Sequence, residues 1–111
     1  HGKVGAYLAS TKFGITDKDI LQAITWHTTG RPNMTLLEKI IFIADYIEPS
    51  RKQIPELNSI RQLAFEDIDQ TMEKILSNTL KFLEQRDAPI DSMTQTTYDS
   101  YMKAKFERKL I

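Results

Sequence analysis

The sequence predicts an all-α fold, and three observations predict it. Apolar residues recur at the three- and four-residue spacing of a helix face in every long segment. No stretch alternates apolar and polar in the manner of a half-buried strand, and capping residues, glycines and prolines fall where helices should start and stop. At 111 residues the chain is long enough for one hydrophobic core and too short for two, so a single helical domain over residues 1–111 is expected, with consecutive helices packed through short loops.

The first helix runs from His1 to Phe13, with His1, Val4, Gly5 and Leu8 on one face and Gly14 placed to end it. Thr16 followed by Asp19 is an imperfect capping box, with Asp where Glu or Gln is usual, and it opens a second helix whose inward stripe is Ile20, Ala23, Ile24 and His27. Thr35 and Glu38 make a full capping box for a third helix, which Pro49 stops after Glu48. Around that helix Leu36, Leu37, Ile40, Ile41, Ile43, Ala44 and Ile47 cover well over half the circumference, and Phe42 and Tyr46 take part of the rest. It is therefore expected to be the buried centre of the domain, with Leu37, Ile40, Ile43, Ala44 and Ile47 among the most buried residues. Pro55 suits the first position of a short helix through Leu57, Ile60, Leu63 and Ala64. Asp67 caps a longer one whose Ile68, Met72, Ile75, Thr79 and Phe82 form a stripe, with Leu76 and Leu83 beside it, ending near Arg86. The turn from Asp87 to Met93 puts Asp91 or Ser92 at the start of a last helix that reaches Leu110.

Fifteen basic and fifteen acidic residues cancel, so no overall field draws the chain to nucleic acid or an anionic membrane, and neither is expected as a partner. Lys103, Lys105, Arg108 and Lys109 read as a solvated face that complements the negative end of the last helix. The absence of cysteine removes disulfides, thiolate metal sites and thiol nucleophiles, and fits a cytoplasmic location. No apolar run approaches the roughly 18 residues of a membrane span. The chain opens on His1 without methionine or a signal-like segment, so a piece lacking amino-terminal helices is expected.

Chemistry-bearing residues gather in the first half. Asp45 lies one turn beyond Ile41 and Phe42, which are expected to shield it, and an ionised group taken out of water needs a partner, a metal or a proton. His27 ends the inward stripe of the second helix. There the macrodipole favours imidazolium, so His27 is either a cation offered to an anion or a neutral metal ligand. A histidine on an apolar face is more often a core or boundary residue. Against that, His1, His27 and Asp45 come from three successive helices, each on or beside the apolar stripe, which is how a bundle builds a metal or phosphate site. Arg51 is either a solvated loop residue or a fork for phosphate oxygens. The turn Thr28-Thr29-Gly30-Arg31 offers hydroxyls and N–H groups to an anion, a weak signal by itself.

The runs from His1 to Ala6, from His27 to Gly30 and from Leu37 to Arg51 resemble the YqeK-type branch of the HD-domain phosphohydrolases, in the right order and with the right gaps. The resemblance is close over about the first half of the chain and loose over the rest. It implies an HD-type helical bundle that binds iron, forms a homodimer and hydrolyses diadenosine tetraphosphate symmetrically to two ADP. Residue by residue, it implies that Asp45 is a metal ligand and that His1, His27, Thr28, Asp45 and Arg51 contact the nucleotide. It further implies that the segment Ala88, Pro89, Ile90, Asp91, Ser92 and Met93 closes over it, and that Asp45, His27 and His1 carry catalysis. In some HD-domain enzymes the histidines corresponding to His1 and His27 bind a second metal, so both roles stay open. The His and adjoining His-Asp pair that name the superfamily belong before His1 and are not in this chain, so weak metal binding and poor turnover are expected of it alone. The chemistry implied is a metal that activates water and polarises a phosphoryl oxygen, with Arg51 and a protonated histidine taking up developing charge. The rival expectation is a non-catalytic helical module for nucleotide sensing or interaction.

Overall fold

A computed structural model describes residues 2–48, 54 and 56–109. These form α1 (Gly2–Phe13), α2 (Lys18–Trp26), α3 (Leu36–Tyr46), α4 (Leu57–Ala64), α5 (Ile68–Gln85) and α6 (Ser92–Lys109). No strand occurs among the described residues, as the spacing predicts, and no helix among them is long and apolar enough to cross a membrane.

Local chemistry sets most of the boundaries. Thr35 Oγ1 accepts from the N–H of Glu38 at 3.2 Å and the Glu38 carboxylate accepts from the N–H of Thr35 at 3.3 Å, completing the capping box of α3. Asp67 caps α5 by accepting from the N–H of Gln70 at 3.0 Å, and Asp91 accepts from the N–H of Met93 at 2.8 Å where α6 begins. α2 departs from expectation by one residue. Its cap is Asp17, not Thr16, and the Asp17 carboxylate accepts from Asp19 at 2.8 Å, where its charge also meets the positive end of the helix dipole. α4 begins at Leu57, and Pro55, expected to open it, lies outside the described residues.

The core is built around α5, not α3. α5 packs against α3, α4 and α6, while α1, α2 and α3 pack in chain order. Met72, Ile75 and Leu76 of α5 and Ile60 of α4 have no exposed surface, and Phe42 and Ile43 of α3 join them. Each such side chain contributes roughly 1.5–3 kcal/mol through burial. α6 covers the other side of α5 with Thr97, Tyr98 and Tyr101, and a Lys105–Glu73 ion pair at 2.9 Å joins the two helices.

The expected burial of α3 is therefore corrected. Of the residues expected to be most buried, only Ile43 is in the core. Leu37 and Ile47 are half-buried, while Ile40 is 45% exposed and Ala44 is exposed. Apolar coverage of a wheel states how much of a helix is able to be buried, not how many neighbours it has. α2 and α5 occupy two sides of α3, and no described element covers its outer row of Leu36, Ile40 and Ala44.

Candidate functional site

A cavity of about 490 Å³ opens between the end of α2, the last turn of α3 and the second half of α5. His27 and Thr28 line it from α2 and the turn that follows, and Phe42, Asp45 and Tyr46 from α3. Asn78, Thr79, Lys81, Phe82 and Leu83 line it from α5.

His27 closes α2 as its C-cap residue and is half-buried. Its Nδ1 lies 2.6 Å from the carbonyl oxygen of Ile24. A carbonyl only accepts, so Nδ1 carries a proton and Nε2 is the atom left for a ligand. Thr28 Oγ1 stands 3.4 Å from that Nε2. The turn that follows is held from several sides. The N–H of Gly30 donates to Trp26 at 2.9 Å, and Gly30 adopts φ +71° in a buried position where a Cβ would come within 2.8 Å of Thr97 Cγ2. Only glycine meets both demands comfortably. Arg31 is committed to Glu38 through two hydrogen bonds, and Thr29 Oγ1 donates to Gly30 O at 2.9 Å. Of the four-residue turn proposed for anions, Thr28 alone faces the cavity; the rest is structural.

Asp45 shares the cavity with His27, but it is exposed. The expectation that Ile41 and Phe42 withdraw it from water does not hold, because Phe42 is spent on the core and Ile41 is itself 38% exposed.

Other expected site residues are placed differently. His1 and Arg51 lie outside the described residues. Gly2 packs so tightly on α2 that a Cβ there would collide with the carbonyl oxygen of Thr25. The segment from Ala88 to Met93 joins α5 to α6: the N–H of Ala88 donates to Leu83 at 2.9 Å, and Asp91 caps α6. It is not part of the cavity lining but follows directly on the turn of α5 that is. No group of three or more His, Cys, Asp or Glu side chains suited to a metal occurs among the described residues. His27 and Asp45 are two donors where a catalytic metal usually takes three from protein, so the described residues do not make a metal centre by themselves. Asn78, Lys81 and Phe82 had no site role in the sequence. The available signal was Thr79, a polar residue within the apolar stripe of α5 between Ile75 and Phe82.

Residues 1–50 match the family model described as HD domain. The chain is 46% identical over 99 residues to a symmetrical bis(5'-nucleosyl)-tetraphosphatase of Bacillus subtilis, covering 89% of this chain and 53% of that protein. It is 48% identical over 102 residues to the protein of the same name from Halalkalibacterium halodurans, covering 92% of this chain and 54% of that one. The crystal structure of a predicted HD superfamily hydrolase involved in NAD metabolism, from Clostridium acetobutylicum, aligns over 94% of this chain and 55% of that one, with a TM-score of 0.89 and 41% identity. The chain spans about half the length of the curated relatives it matches. The HD-domain match thus runs through α1, α2 and α3, and over nearly its whole length the chain shares the fold of an HD superfamily hydrolase.

Proposed function

We propose that the protein is a metal-dependent phosphohydrolase that cleaves dinucleoside tetraphosphates, diadenosine tetraphosphate first among them, symmetrically into two nucleoside diphosphates. The observation that carries this reading is the meeting of His27 and Asp45 in one cavity of about 490 Å³, a volume suited to one nucleoside diphosphate half of the substrate. Two relatives of 46% and 48% identity that bear the name of this activity support it.

Water adds to one of the two central phosphorus atoms, the bridging P–O bond breaks, and one molecule of substrate with one of water gives two ADP. A pocket that seats a single diphosphate leaves the other as the departing group. In this reading His27 meets the phosphates through Nε2, since its Nδ1 proton is held by Ile24, and the Thr28 hydroxyl beside it shares that task. Asp45 is one ligand of the metal, proposed to be iron, whose remaining ligands lie outside the described residues. His1 and Arg51 are proposed to contact the phosphates, and Ala88, Pro89, Ile90, Asp91, Ser92 and Met93 to close over the nucleotide. A cytoplasmic homodimer completes the proposal.

The test is chromatography of the products made from diadenosine tetraphosphate by the iron-loaded protein in a form that carries the His and adjoining His-Asp pair expected before His1. Two ADP per substrate is the expected result. Equal ATP and AMP would overturn symmetric cleavage, and tight nucleotide binding without turnover would turn the reading to a nucleotide-sensing module.

A further inference from the structure

We propose that Arg61 is a positioning residue for the site: its guanidinium clamps the exit of α3 and so fixes where Asp45, and the chain that leads on to Arg51, stand relative to the cavity. The proposal rests on the reading of Asp45 and Arg51 as residues of a phosphohydrolase site.

The last carbonyls of a helix have no partner within it and fray unless something outside holds them. α3 ends at Tyr46, and neither Ile47 nor Glu48 adopts the left-handed φ that would let the chain close the helix on itself. Arg61 does the holding. Its Nε donates to the carbonyl oxygen of Ile47 at 3.0 Å and its Nη2 to that of Glu48 at 3.1 Å. Two bonds from one planar group to successive carbonyls fix direction as well as distance, which an ammonium on a flexible stem does not do. The cation also stands at the negative end of the α3 dipole, where it is favoured.

The clamp has a fixed base. Arg61 follows Ile60, which has no exposed surface, and Leu57 of the same helix is buried, so α4 is held in the core against α5. What Arg61 holds adjoins the cavity. Asp45 and Tyr46, in the last turn of α3, line it, and so does Ile54, so the connection from α3 to α4 has both its ends at the site. The bonds fall at Ile47, two residues after Asp45, and at Glu48, three before Arg51. Arg61 is not itself in the lining, so its influence passes through the backbone it holds. Such a hold matters at a reacting centre, where a displacement of about 1 Å costs on the order of 100-fold in rate.

The test has two parts. Amide hydrogen exchange on the chain of 111 residues follows the N–H of Ile47, which donates to Ile43 O at 3.0 Å. Arg61→Leu is expected to speed that exchange by about tenfold, the factor that loss of one net hydrogen bond brings, while the amides of α5 keep their rates. Unchanged exchange at Ile47 overturns the clamp. The second part is kinetics with diadenosine tetraphosphate, on the form that carries the His and His-Asp pair expected before His1 and below the melting temperature of every variant. Arg61→Leu is expected to lower kcat/KM by about 10- to 100-fold and to raise KM. Leu57→Ala, which loosens α4 without touching the carbonyls of α3, is expected to lower the melting temperature and leave KM as it is. A merely structural Arg61 would change only the number of active molecules, lowering apparent kcat at constant KM, and that result overturns the proposal. An equal rise in KM for Leu57→Ala overturns it too. A wild type without turnover removes the reading of the site and the positioning role with it, whereas an active wild type whose kinetics Arg61→Leu leaves unchanged overturns the role alone.

Discussion

Arg31 and Glu38 meet through two parallel hydrogen bonds, Nε to Oε1 at 2.7 Å and Nη2 to Oε2 at 2.8 Å, and so fasten the turn that follows His27 to the first turn of the helix that carries Asp45. The same Glu38 carboxylate accepts from the N–H of Thr35, and the residue is only 1% exposed. One buried carboxylate thus caps α3 and anchors the preceding turn, and it sets how the two cavity residues stand relative to each other.

Glu38→Gln should destabilise the protein by roughly 2 kcal/mol at neutral pH, since it weakens two charge-assisted hydrogen bonds in a largely buried place. Bonding to Arg31, above all, holds the Glu38 carboxyl below its ordinary value of 4.5. As pH falls below that value the unfolded chain takes up the proton first, so the stabilisation is full above it and is lost as pH drops through the lowered folded value. Urea unfolding at pH 7 and in the acid range should show wild type and variant converging as pH falls. A gap that widens in acid would contradict this account.

Ile75→Ala should cost roughly 2–5 kcal/mol, because the side chain has no exposed surface and nothing nearby will fill the space. Ile40→Ala should cost under about 1 kcal/mol, because Ile40 is 45% exposed. Chemical denaturation of the two variants side by side tests whether α5 or α3 is the centre of the core.

Gly30→Ala should cost on the order of 1–3 kcal/mol, since an L side chain is disfavoured at φ +71° and its Cβ would press on Thr97 at 2.8 Å. Pairing it with Thr97→Ser, which removes that methyl group, should recover the steric part alone. No recovery in thermal melts would assign the whole cost to the backbone.

On the proposed function, Asp45→Asn in the protein that carries the upstream ligands should fold as the wild type does, because Asp45 is exposed, yet lower turnover of diadenosine tetraphosphate by at least about 10- to 100-fold, the loss that follows removal of a residue that only supports a metal ligand. Thermal melting and ADP release measured on one preparation check both halves. A variant that kept its rate would detach Asp45 from the chemistry.

Helix caps were legible because their bonds join residues two to three apart: Thr35 with Glu38 and Asp67 with Gln70 are complete within one turn of sequence. Thr16 and Asp17 are both good caps, and only the path of the chain decides between them. The inward stripe of α2 and the apolar length of α3 put His27 and Asp45 near each other in principle, and the cavity holds both. What no wheel reveals is the number of neighbours a helix has, which is why Ile40 and Ala44 were expected inside. For the same reason Phe82 looked like another core position: its spacing from Met72 and Ile75 is that of the stripe, and only the third dimension shows that the core stops before it.

Leu36, Ile40 and Ile41 leave α3 with an outer face 62%, 45% and 38% exposed along its apolar side chains. An environment-sensitive dye of the kind used to detect molten globules will find that face on the folded chain of 111 residues. Fluorescence gain on dye addition therefore reports ordinary native surface here, and loosened packing has to be judged from a signal that needs fixed side chains, such as the near-ultraviolet circular dichroism of the single tryptophan, Trp26.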